Sequence, residues 1–253
     1  MSFIISPFLT TPLLKVPILL GVAVCHHTTL KPPNSSEALK MHKEFTLADY
    51  LTSGTAFQLA TAAILRNTLI GLSVAEAATI LAREFSPGHG AHLAEQARAL
   101  LLPNTYCPLD FHATPMFLAG STLTFLGTLL RLSCYRALGR FFKWQSTVED
   151  DHELITTGPY AVVRHPSYTA LLLLTIGAPL ALLAPGSYAR ETGLVDTRWG
   201  KVVLTTLFGW LTTVTGALIL RIGEEDEELQ KKFGGEWLAW ARRTPYKLIP
   251  YVY

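Results

Sequence analysis

Charge is what this sequence has least of. Only 16% of its 253 residues are Asp, Glu, Lys or Arg, against roughly a quarter in ordinary soluble domains. With 49% hydrophobic residues and a mean hydropathy of +0.30, such a chain suits a bilayer better than water. A long basic run is missing as well. The formal net charge is +2, too small and too scattered to track a phosphate backbone, which excludes nucleic acid as a partner. Cysteine is sparse: Cys25, Cys107 and Cys134 lie far apart without CxxC or Cys/His ligand spacing. That pattern supports neither a zinc site nor a disulfide framework. Internal repeats and low-complexity segments are absent too.

What the sequence does have is long apolar windows. A hydrocarbon core about 30 Å thick takes about 20 helical residues to cross. Residues 115–134 form one such window, with Arg131 near its end, where a long side chain can snorkel to the interface. Residues 167–185 and 202–222 form two more, with Arg221 closing the last. Their short connection, residues 186–201, makes them a hairpin. The segment 131–164 and the tail after Arg221 are both rich in Lys and Arg, which puts both on the cytosolic side.

The N-terminal half is less regular. Residues 3–24 are apolar but contain Lys15 and three prolines. A first span is expected there rather than a signal sequence, because His26 and His27 follow instead of an Ala-x-Ala-like cleavage site. Residues 55–82 have helical periodicity, yet Arg66 and Asn67 sit in mid-window, so this helix is expected to face other helices rather than lipid. Loops are expected at 31–40 and 86–92, where Pro, Gly and Ser cluster.

Polar residues that the bilayer does not explain fall into two blocks, 145–168 and 221–253, on either side of the hairpin. A hairpin returns the chain to the face it left, so the blocks are expected to meet and form a site. In the first, Gly158 and Pro159 make a turn, and Pro166 is suited to open the next helix. Arg164, His165 and Tyr168 then offer donors and aromatic faces for a nucleotide-like ligand, or equally a cationic loop for lipid headgroups. In the second, Arg221 and Glu225 are one helical turn apart. They present either a cation and an anion to ligands or an ordinary surface salt bridge. Glu224, Asp226, Glu227 and Glu228 read as a solvated face. Phe233, Trp237 and Trp240 recur as the apolar stripe of an amphipathic helix, better suited to core or membrane packing than to ligand stacking.

The order His152-Glu-Leu-Ile, Gly158-Pro-Tyr, Arg164-His-Pro-Ser-Tyr168, hydrophobic hairpin, Arg221, acidic cluster and Phe233-Gly resembles the C-terminal catalytic region of the isoprenylcysteine carboxyl methyltransferases. The resemblance implies an all-α, multi-span transmembrane helical bundle whose C-terminal half forms a cytosol-facing cofactor pocket. Residues 1–114 would supply N-terminal membrane helices and loops. Residues 115–253 would be the methyltransferase region, with a hairpin at about 167–222 and a C-terminal amphipathic helix. The cofactor implied is S-adenosyl-L-methionine, surrounded by Gln145, His152, Glu153, Leu154, Ile155, Tyr160, His165, Pro166, Ser167, Tyr168 and Glu225. Arg221 is implied as the catalytic, substrate-binding contact to the acceptor carboxylate. The acceptor would be a prenylated protein C-terminus or prenylcysteine, with membrane lipid around it, and the location the endoplasmic reticulum membrane, catalytic face to the cytosol. An acceptor carboxylate, with a pKa of about 3.5, is already ionised at neutral pH and needs no general base. His152 and His165 are therefore assigned to binding. Two features depart from the pattern: Gly223 stands between Arg221 and the acidic run, and the ending TPYKLIPYVY is similar to sterol reductase tails. The other readings are a phospholipid N-methyltransferase, an NADPH-dependent sterol reductase-like protein, and a non-catalytic lipid-binding membrane protein.

Overall fold

A computed structural model describes residues 11–31, 56–85, 110–142 and 153–253. The described residues form helices and turns without a strand. Among the described residues, six helices are longer than one turn: α1 (Lys15–Thr29), α2 (Ala56–Phe85), α3 (Pro115–Leu138), α4 (Pro166–Leu182), α5 (Arg198–Phe233) and α6 (Gly235–Arg243). Among the described residues, three stretches are long and apolar enough to cross a membrane: Ala60–Glu84, Pro115–Phe141 and Arg198–Phe233. Their outward positions keep large apolar side chains, such as Ile64, Leu126, Leu129, Val202 and Leu220, exposed. A soluble bundle would cover such faces, whereas a bilayer leaves them to lipid. The protein is a helical membrane protein.

The windows at 115–134 and 202–222 fall inside α3 and α5. The window at 167–185 is α4, a shorter apolar helix of 17 residues, about 25 Å long at 1.5 Å per residue. Of the expected first span at 3–24, residues 3–10 lie outside the described residues; from Pro12 the chain is helical to Thr29. The loops expected at 31–40 and 86–92 lie outside them too, except Lys31.

Two compact units divide the chain: Met1–Thr28, Leu65–Phe125 and Ile176–Gly209 form the first, and Thr29–Ile64, Leu126–Thr175 and Trp210–Tyr253 the second. In the first, Leu19, Ala77, Ile80, Phe111 and Phe117 form a closed apolar core. Lys15 and Glu76 are buried within this unit as an ion pair. Lys15 Nζ also donates to the Gly186 carbonyl (2.7 Å), Glu76 Oε2 accepts from the Tyr188 amide (3.0 Å), and the Phe117 ring lies 4.5 Å from the ammonium. The cost of burying two charges is offset only because each finds the other and a backbone partner.

This pair corrects the reading of α2. The helix does bury one face, with Leu65, Leu69, Ser73, Glu76 and Ile80 on it. Arg66 and Asn67 are on the other side: Asn67 is exposed, and Arg66 Nε donates to Asn67 Oδ1 across 3.3 Å. The polar group that α2 turns inward is Glu76. Its match to Lys15 became visible only once α1 and α2 were placed.

In the first unit, α3 and α4 approach through glycines. A Cβ at Gly120 would strike the Ala181 amide nitrogen and come within 2.7 Å of the Gly177 carbonyl oxygen; in the second, one at Gly127 would lie 2.8 Å from the Ala170 carbonyl oxygen. Small residues permit this backbone proximity, which in lipid supplies packing that the hydrophobic effect cannot.

Candidate functional site

The second unit holds both polar blocks. Gly158, at φ +61°, opens a 3-10 turn, Gly158–Ala161, in a conformation that L side chains rarely adopt. Tyr160 is thereby directed into a buried cluster with Cys134, Trp237 and Trp240, and Trp240 Nε1 donates to the Tyr160 carbonyl (3.0 Å). Leu154 and Ile155 pack against this cluster. Burial pushes the Tyr160 phenol well above its ordinary value; the Cys134 thiol and Glu225 carboxylate add to the effect, and Arg131 opposes it. Tyr160 is therefore a neutral donor at physiological pH.

Four residues on, the chain meets the tail. The amides of Arg164 and His165 donate to the carbonyls of Tyr246 (2.9 Å) and Lys247 (2.8 Å). Thr169 Oγ1 donates to the Leu248 carbonyl (2.7 Å). Pro166 is the first residue of α4, where its missing N–H is no loss. The segment Arg164–Tyr168 is thus clamped between a helix start and the C-terminal tail.

The helix α5 continues unbroken beyond Ile222 to Phe233, and the convergence expected of the two blocks is present. Tyr168 donates to Glu225 Oε2 at 2.6 Å, and Glu225 Oε1 lies 3.9 Å from His165 Nδ1. The His165 and Tyr168 rings stack at 5.6 Å. Arg221 is buried one turn before Glu225. At Gly234 (φ +50°) the chain turns, and α6 buries Trp237 and Trp240, so the aromatic stripe is core packing, as its spacing suggested.

Asp226 is a correction. Its neighbours Glu224, Glu227 and Glu228 are exposed, as read, but Asp226 is buried. It accepts from His165 Nε2 (3.0 Å) and Arg164 Nη2 (3.1 Å), with Lys247 Nζ at 3.6 Å. A carboxylate on Nε2 keeps a proton there and directs Nδ1 towards Glu225. The clue in the sequence was spacing: Asp226 stands five residues after Arg221, beside Glu225. A row of acids hides which member turns inward.

Arg131 is a second correction. It does not snorkel; it is 4% exposed, with its guanidinium bonded to Thr29, Tyr135 and Ser167. Of the other expected site residues, Glu153 is exposed, His165 and Pro166 are buried, and Ser167 and Tyr168 are partly buried. Gln145 and His152 lie outside the described residues.

Residues 120–190 match the sequence model of the isoprenylcysteine carboxyl methyltransferase (ICMT) family. Over this segment the chain is similar to that family. The matched segment carries most of α3, the Gly158 turn, the Arg164–Tyr168 clamp and all of α4. The ICMT likeness extends to whole proteins only in part. The chain is 29% identical over 135 residues to protein-S-isoprenylcysteine O-methyltransferase B of Arabidopsis thaliana, covering 53% of this chain and 58% of that one. It is 33% identical over 110 residues to the protein-S-isoprenylcysteine O-methyltransferase of Schizosaccharomyces pombe, covering 42% and 43%. A Delta(14)-sterol reductase of Mus musculus is 26% identical over 101 residues, 40% of this chain and 20% of that protein. The chain thus spans about half the length of the transferases it matches. No solved structure matches it. Arg221, Glu225 and Asp226 lie beyond the matched ICMT segment, and what joins them to it is geometry.

Proposed function

We propose that this protein is an S-adenosylmethionine-dependent methyltransferase that esterifies the carboxylate of a prenylated cysteine at a membrane surface. The observation that supports it most is the Tyr168 to Glu225 hydrogen bond, which joins the ICMT segment to a carboxylate 57 residues away. The residues suit a cationic, hydroxyl-bearing donor. Glu225 is 28% exposed in its side chain and keeps lone pairs beyond the one Tyr168 uses, and it stands beside the stacked His165 and Tyr168 rings. S-adenosylmethionine, when bound, supplies an electrophilic methyl group on a sulfonium. Glu225 would hold it, with Tyr160, His165 and Tyr168 shaping the pocket, together with Gln145, His152, Glu153, Leu154, Ile155, Pro166 and Ser167. Arg221 would orient the acceptor carboxylate through its planar fork. Proton transfer is not asked of any side chain, because the acceptor is already ionised. His165 instead keeps its Nε2 proton on Asp226 and serves as a fixed wall. The catalytic face is proposed to be cytosolic in the endoplasmic reticulum membrane, following the Lys and Arg bias of 131–164 and the tail.

The test is to incubate membranes containing the protein with methyl-labelled S-adenosylmethionine and either a prenylated cysteine analogue or phosphatidylethanolamine. Base-labile label on the cysteine analogue is expected. Label on the amine lipid instead would transfer the assignment to phospholipid N-methylation. Oxidation of NADPH with a sterol, and no methyl transfer, would favour the reductase reading that the mouse relative and the TPYKLIPYVY tail suggest.

A further inference from the structure

The guanidinium of Arg131 joins three stretches of chain. Its Nε–H is shared between the Thr29 carbonyl at the end of α1 (3.0 Å) and the Tyr135 hydroxyl (2.8 Å), and its Nη1 donates to the Ser167 hydroxyl (2.9 Å) in the first turn of α4. The Tyr135 hydroxyl in turn donates to the same Thr29 carbonyl (3.1 Å). The rings of Tyr135 and Phe142 lie 5.4 and 5.7 Å from the cation. A charge inside an apolar helix is costly, and neutral acceptors offset that cost less fully than a carboxylate does. For stability alone an apolar side chain would serve better here. What the guanidinium does that no apolar residue could is to grip Ser167, between His165 and Tyr168.

We propose that Arg131 is a positioning residue for the methyl-donor site: it holds the first turn of α4 against the end of α1, so that Tyr168 meets Glu225 in fixed geometry. The inference rests on the methyltransferase reading. It makes the end of α1, outside the segment matched to the family, part of the site's support.

The full chain in detergent, titrated calorimetrically with S-adenosylmethionine and assayed with a prenylated cysteine analogue, tests it. Loss of one charged hydrogen bond corresponds to about tenfold in affinity. Arg131→Met is expected to weaken donor binding about tenfold while the acceptor KM changes less than about twofold; Arg131→Lys recovers part of the loss. Ser167→Ala is expected to weaken donor binding as well, and the double variant to bind no worse than Arg131→Met alone. A merely structural role would lower the melting temperature without that coupling. Wild-type donor affinity in folded Arg131→Met, or losses that multiply in the double variant, overturns the proposal. If the Arg131 variants do not fold, Tyr135→Phe and Ser167→Ala decide: unchanged donor affinity in both overturns it. A wild type that binds no donor overturns the methyltransferase reading and this inference together, whereas a binding wild type with unaffected variants overturns this inference only.

Discussion

At the scale of single residues, the two charges one turn apart on α5 are expected to separate by function. Glu225→Ala should weaken S-adenosylmethionine binding at least tenfold, because a charged hydrogen-bond acceptor to the donor is gone. Arg221→Ala should instead raise the acceptor KM, with donor affinity kept within about threefold. Equal donor affinity in wild type and Glu225→Ala, measured by calorimetry, contradicts the assignment. Tyr160 carries a pH prediction. Its phenol is held above the ordinary value of 10.0 mainly by burial, so the unfolded chain releases that proton first as pH rises. The stability linked to Tyr160 is complete below pH 10 and declines above it. Melting curves between pH 8 and 11 should therefore fall less steeply for Tyr160→Phe than for wild type. The motif Arg164-His-Pro-Ser-Tyr168 was readable as a site because its residue types are unusual where a chain meets the bilayer. Asp226 was not, since five acids in a row look alike until one is seen to bond His165 and Arg164.

At the scale of elements, helix ends and helix contacts carry the argument. Pro166 at the start of α4 and the continuation of α5 past Ile222 follow from local rules, namely the fixed φ of proline and a run of good helix formers. The α3 and α4 contact in the first unit does not, for a glycine in an apolar helix signals a close approach without naming the partner. Gly120→Ala places a methyl against the backbone of Gly177 and Ala181 and should destabilise by about 2 kcal/mol. Gly223→Ala meets open space in α5 and should be neutral, or stabilising by up to about 1 kcal/mol. Thermal unfolding in detergent distinguishes the two, and equal shifts would argue against the packed contact.

At the scale of the whole molecule, membrane character rests on helices whose outer faces stay apolar, and on charges that are resolved internally. Lys15→Met leaves Glu76 buried without its cation and should destabilise by about 3 to 5 kcal/mol. Adding Glu76→Gln, which keeps an acceptor for the Tyr188 amide, should restore most of that loss; a double variant as unstable as the single would show that the pair is not the cause. By itself the sequence determined the bilayer as solvent, the positions of α3 and α5, and the motif that carries the family resemblance, because hydropathy, periodicity and short motifs are properties of neighbouring residues. Only the tertiary structure decided that Lys15 pairs with Glu76, that Arg131 is gripped inside rather than drawn to the interface, and that Asp226 turns inward beside Glu225. The reason is physical: a charged side chain goes where its cost is offset, and the offsetting groups come from segments remote in sequence.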